Sequence, residues 1–157
     1  MIIRETTHHF SPLSFHRSMV GRRLPILLTA AGRAYFAMCS DGERADILDL
    51  LRSGAGGEEQ KALASNDTFI RNLVRRVRTD GFGSNHGDWS AQSKIGAVAV
   101  AIVSEQRVLA SLNAVFLSRA VTLAEAKRRY VPELQTAARE MVEGLEAEAF
   151  AGGTGKA

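Results

Sequence analysis

The sequence predicts an α+β domain in which helices pack against an antiparallel sheet. Three observations lead there. Several segments repeat apolar residues at helical spacing, beginning near Ala30, Asp41, Asn66 and Thr122. Two β-rich runs, Ile95 to Val103 and Arg107 to Leu117, flank the short polar stretch Ser104-Glu105-Gln106, as in a β-hairpin. There is also no internal repeat and no alternating βαβ series, so a parallel sheet is not expected. At 157 residues the chain suits one hydrophobic core.

Taken in order, Met1 to Thr7 reads as a short strand, and Ser11 to Pro25 as an irregular strand with loops. Thr29 is placed to N-cap a helix from Ala30 to Met38, because its hydroxyl can accept from an orphan backbone N–H. Ser40-Asp41-Gly42-Glu43 has the capping-box pattern, and Ile47, Leu48 and Leu51 follow it at helical spacing. Ser53-Gly54-Ala55-Gly56-Gly57 stops that helix, and the polar stretch to Ser65 reads as a mobile loop. Asn66 caps the next helix, whose stripe is Ile70, Leu73, Val74 and Val77, and Gly81 suits its left-handed C′ position.

Phe82 to His86 reads as a strand, Gly87 to Lys94 as a loop, and the hairpin follows. Along its second arm, Ala110, Leu112, Ala114 and Phe116 alternate with Leu109, Ser111, Asn113 and Val115, giving one apolar face and one with two polar groups. Thr122 opens a last helix, which Pro132 is expected to kink or restart. Ala151 to Ala157 is glycine-rich and reads as a disordered tail.

Composition narrows the function. Hydrophobic residues make up 45% and charged ones 24%, enough apolar content for a folded domain. The net charge of +3 is too small and too scattered to imply a nucleic-acid partner. Cys39 is the single cysteine, which rules out an internal disulfide and a cysteine zinc cage and fits a reducing cytoplasm. No run approaches the roughly 18 apolar residues of a membrane span, and Met1-Ile2-Ile3-Arg4-Glu5 lacks a signal-peptide core.

Catalytic patterns are missing as well. No Ser-His-Asp or Cys-His order and no phosphate-binding glycine loop stands out, and His8, His9, His16 and His86 lack ligand spacing. The sequence therefore predicts neither an enzyme nor a cofactor or metal. The Arg71, Arg75, Arg76 and Arg78 series reads as a solvated helix face rather than a DNA-reading one.

Gly21-Arg22-Arg23-Leu24-Pro25 followed by Thr29-Ala30-Ala31-Gly32-Arg33-Ala34 resembles the G-x-x-L-P…T-A-x-G-K-A pattern of IclR-type effector-binding domains. Arg78-Thr79-Asp80-Gly81-Phe82, Ala97 to Val100, Arg107 to Val115 and Val121-Thr122 are similar to further family segments in the same order, over residues 1 to 150. Arg4 to Ser11 and Leu13 to Arg17 most resemble the branch that controls hydroxyphenylpropionate catabolism.

The resemblance implies a GAF-like or PAS-like sensor of a small, aromatic carboxylic acid. It implies assembly as a homodimer or homotetramer, and DNA contact only through a helix-turn-helix absent from this chain. The opening helix and first strand of the sensor domain are also expected to be missing. Four departures stand out: those absences, Lys94-Ile95-Gly96 in place of G-x-R, Ala101 in place of a proline with a hairpin turn one residue short, and Asn113 and Val115 in place of serines.

The expected effector site combines both lines of reasoning. The first-turn amides of Ala30 and Ala31, capped by Thr29, form an anion site at a helix N-terminus, although a plain cap on packed alanines is the simpler reading of the residues alone. Asn113 needs hydrogen-bond partners if buried, which a ligand could supply; otherwise it faces solvent. By resemblance, Asn85 is a polar pocket residue, with an ordinary turn former as the alternative. Leu13, His16, Leu24, Ile95, Ala97 and Val115 join the set in the same way, and a half-exposed structural histidine is the other reading of His16. A two-residue turn would put Val98 on the face of Asn113 and a three-residue turn would put Ala97 there; the family spacing selects Ala97.

Overall fold

The computed structural model describes residues 1–7, 19–89 and 92–153. Among them the element order is α1 (Ala30–Met38), α2 (Asp41–Arg52), α3 (Glu58–Ala64), α4 (Asp67–Asp80), β1 (Gly83–His86), β2 (Ile95–Ser104), β3 (Arg107–Leu117) and α5 (Leu123–Gly153). The three strands form one antiparallel sheet in the order β1-β2-β3. This is the α+β architecture that the sequence predicts.

Most helix ends are set by the expected caps. Thr29 Oγ1 accepts from Gly32 N–H, Ser40 Oγ from Glu43 N–H, Asn66 Oδ1 from Phe69 N–H, and Thr122 Oγ1 from Glu125 N–H. Gly81 closes α4 in the left-handed region, φ 76°, with its N–H donating to Val77 O.

The two faces of the sheet are packed differently. On one, α5 lays Ala126, Val131 and Ala138 over Val98, Val100, Ile102 and Phe116. On the other, α1 sets Ala30, Ala31 and Ala34 against Ala97 and Ala99. Small residues let this helix come close. A Cβ on Gly83 would lie 2.5 Å from Ala30 O, so only glycine fits beneath the first turn of α1. A second core, built on Leu27, Phe36, Leu51, Ala64 and Ile70, joins α1 to α2, α3 and α4.

Four expectations need correction. Met1 to Thr7 is not a strand but makes one isolated bridge, Ile2 to Arg23, with Ile3 N–H donating to Arg22 O and Gly21 N–H to Ile3 O. The stretch from Glu58 to Ala64 is helix rather than loop. Gln60, only 5% exposed, receives Leu27 N–H on Oε1 and donates from Nε2 to Gly56 O, so a polar residue occupies the buried position.

The last helix neither restarts nor stops at Pro132. Pro132 is exposed while Ala126, Val131 and Ala138 are held on the sheet, so the lost backbone bond falls on the solvent side. This helix also runs through Gly153, past the expected start of the tail; residues 154–157 lie outside the described ones.

The hairpin turn corrects a reason but not its result. Glu105 and Gln106 form a two-residue turn at φ 49° and 64°, with Ser104 opposite Arg107. Alone, this would bring Val98 onto the face of Asn113. However, Val103 faces Val108 while Ile102 faces Ala110, so Leu109 is an extra, bulged residue. The bulge restores the register, with Ala97 opposite Val115 and Ala99 opposite Asn113.

Candidate functional site

The register places Asn85, Ala97 and Val115 side by side across β1, β2 and β3, with Ala99 and Asn113 one step along. Ile95 shares this face two residues before Ala97. The N-terminal turn of α1 covers part of it. Thr29, Ala30 and Ala31 are buried, and the two alanines pack with Ala97 and Ala99. The fold therefore brings together Thr29, Ala30, Ala31, Asn85, Ile95, Ala97, Asn113 and Val115. Leu24, half-buried, lies in the segment leading to α1, where its N–H donates to Met1 O. Leu13 and His16 lie outside the described residues.

At the α1 end, two donors have no partner among the described residues. Of the N–H groups at the start of this helix, that of Gly32 reaches Thr29 Oγ1, while that of Arg33 makes the first intrahelical bond, to Thr29 O. Those of Ala30 and Ala31 remain unclaimed among the described residues. Thr29 Oγ1 itself donates to Pro25 O at 2.8 Å, so the cap is locked and the amides keep their direction.

The strand end is more open. Asn113 and Val115 are exposed, the latter at 44%, so this side of the face beside α1 is uncovered by the described residues. Asn85, 4% exposed, uses Oδ1 to accept from Asp88 N–H, the turn-forming role of an asparagine at a strand end. One step nearer the hairpin turn, opposite Ala101, sits a group that polar patterning alone does not rank. Ser111 Oγ, on the same face two residues before Asn113, is buried without a hydrogen-bond partner. A buried hydroxyl of this kind costs roughly 1–3 kcal/mol unless something else bonds to it.

The sequence shows Arg33 only as the lysine position of the family-like run and gives no sign that it is buried. Although charged, it is 8% exposed: Nε donates to Leu27 O, and Nη1 donates to Ser84 O and to Asp88 in an ion pair of 2.6 Å. Besides that run, its one sequence signal is its position among the small, buried residues of α1.

At the other end of α1 the chemistry is quiet. The Cys39 thiol is pushed up by burial, which makes it a poor nucleophile. Tyr35 donates to the Glu43 carboxylate, and that bond, reinforced by burial, raises its pKa to about 12. Among the described residues no cluster of three or more His, Cys, Asp or Glu side chains is grouped to hold a metal ion.

A family model for the bacterial transcriptional regulator IclR C-terminal domain matches residues 10–143. The chain belongs to the IclR C-terminal family. Solved structures agree on the fold. An IclR family transcriptional regulator from Brucella abortus superposes with a TM-score of 0.64 at 21% identity, over 83% of this chain and 48% of that one. The C-terminal domain of E. coli transcriptional regulator KdgR gives 0.63 at 25% identity, over 80% of this chain and 73% of that one. The inducer-binding domain of PobR from Acinetobacter, a double mutant in complex with 3-hydroxybenzoic acid, gives 0.61 at 19%, over 83% and 75%.

This IclR-family chain thus spans about half the length of the Brucella regulator. Its family and structural neighbours are transcriptional regulators. No helix of the described residues is long and apolar enough to cross a membrane.

Proposed function

We propose that this chain is the ligand-sensing domain of a cytoplasmic IclR-family regulator, binding a small, aromatic carboxylic acid between α1 and the open face of β3. One observation carries the reading: two helix N-terminal amides unclaimed among the described residues, an orphaned Ser111 hydroxyl and the exposed Asn113 amide are borne on the same side of the sheet. The carboxylate suits the amides of Ala30 and Ala31, where the helix dipole adds to hydrogen bonding. Ala97, Ile95 and Val115 offer an apolar wall for the ring. Asn85, oriented by its bond to Asp88, presents its remaining amide nitrogen. Leu24, Leu13 and His16 belong to the proposed lining through family resemblance alone. The PobR domain, whose crystal complex contains 3-hydroxybenzoic acid, supports the ligand class.

In the proposed regulator the domain acts as a homodimer or homotetramer, reaches DNA only through a helix-turn-helix outside this chain, and performs no catalysis. The ligand would change operator engagement only by the difference in its affinity for two states of the assembly.

Thermal denaturation with hydroxyphenylpropionates, benzoates, glyoxylate and pyruvate tests this, since a ligand of the native state raises the midpoint. The expected result is a shift with an aromatic acid that Asn113→Leu weakens. No shift with any small acid would favour the second reading, an interaction or oligomerisation module without a ligand, for which the exposure of Asn113 and Val115 speaks.

A further inference from the structure

A cavity of about 520 Å³ lies away from that face, where α1, α3 and α4 meet beside the loop after β1. Leu28, Leu63, Phe69 and Leu73 line it with apolar surface, and Arg33 and Arg76 bring two guanidinium groups to it. No described residue assigned above to the effector site is among its lining residues.

The two arginines are unusual in what they leave unused. On α4, Arg71 donates to Thr68, Arg75 to Asn72 and Arg78 to Ala37 O. Arg76 makes no hydrogen bond or ion pair with any described residue, although it stands at the cavity. Arg33 commits Nε and Nη1 to Leu27, Ser84 and Asp88, while Nη2 makes no hydrogen bond among the described residues. It is 8% exposed, so it presents a charge already stripped of most of its water.

Charge limits the ligand. Asp88 and Glu59 also line the cavity, and a dianion such as phosphate would meet both carboxylates as well as the arginines. A monoanion asks for one guanidinium fork, and an apolar body would cover Phe69 and the leucines. We propose that this cavity is a second ligand site, taking an organic monocarboxylate of about the size of benzoate with Arg76 as its principal anchor. The inference does not depend on the α1–β3 reading, because the two sites share none of the described residues.

Amide spectra of the ¹⁵N-labelled full chain, titrated with sodium benzoate and separately with sodium phosphate, test it. The expected result is saturable movement of the Leu63, Asn72 and Leu73 amides with benzoate alone. In Arg76→Gln, an exposed change that the fold tolerates, the dissociation constant should rise tenfold or more. In Asn113→Leu it should be unchanged. Still amides at millimolar benzoate, an equal constant in Arg76→Gln, or equal saturation by phosphate would overturn the proposal. Movement confined to Asn113 and Val115, and lost in Asn113→Leu, would overturn it while leaving the effector reading standing. Movement confined to the cavity would uphold it and count against that reading.

Discussion

Arg33 Nη1 lies 2.6 Å from the Asp88 carboxylate, joining the buried side of α1 to the loop that follows β1. The partners differ in exposure, at 10% and 51% of their side-chain surface, and this decides which one the fold needs. Arg33→Ala strands the carbonyls of Leu27 and Ser84 and should cost about 3 kcal/mol. Asp88→Asn leaves those bonds in place and removes only a half-exposed charge, so it should cost under about 1 kcal/mol. Urea denaturation of the two variants checks the order, and equal losses would refute it.

Glycines divide in the same way. A Cβ on Gly32 would stand 2.1 Å from Ile26 O, a backbone atom that cannot swing aside. Gly32→Ala should therefore cost about 3 kcal/mol or more and loosen the turn entering α1. Gly42, in the first turn of α2, has nothing within 4 Å of its would-be Cβ. Gly42→Ala should stabilise by about 0.5–1 kcal/mol, read as a higher denaturation midpoint.

The hairpin turn offers a gain. Glu105 and Gln106 both hold positive φ, which costs an L-residue with a side chain roughly 1–2 kcal/mol. Replacing them with Asn and Gly, the pair that a type I′ turn prefers, should raise the melting temperature without disturbing the register. A lower melting temperature would mean that one of the two side chains holds the turn by a contact of its own.

Alkaline pH probes the Tyr35–Glu43 bond. The Tyr35 pKa rises from 10.0 to about 12 on folding, so the native state holds the phenol proton more tightly than the unfolded chain does. The associated stability is whole below pH 10 and falls away between about 10 and 12. Tyr35→Phe should be less stable at neutral pH and should lose less between those values. Denaturation at pH 8 and pH 11 distinguishes it from the parent, and parallel losses would show that the bond contributes nothing.

Much of this was legible in the residues. Thr29, Ser40, Asn66 and Thr122 cap helices where their spacing from the apolar stripes said they should. Local rules suffice there, because a cap needs only its own next turn. The helix from Glu58 to Ala64 was not legible, since its pinning residue is Gln60, whose partner Leu27 lies 33 positions away. Arg33 was hidden for the same reason: its three acceptors are a turn carbonyl, a strand carbonyl and a loop carboxylate.

The candidate site divides along that line too. Pattern and resemblance placed Ala97 with Asn113 and Val115, but they did so by assuming a longer turn. The protein reaches the same face through a tight turn and a bulge at Leu109, a choice made by pairing across strands rather than along one. By itself, then, the chain determined its capped helices, its hairpin and its family, all of which rest on interactions within a few residues or on motif order. Only the tertiary structure decided which side chains are buried, which hydroxyl is orphaned and where the cavities open, because burial and partner choice depend on contacts between segments that sequence distance conceals.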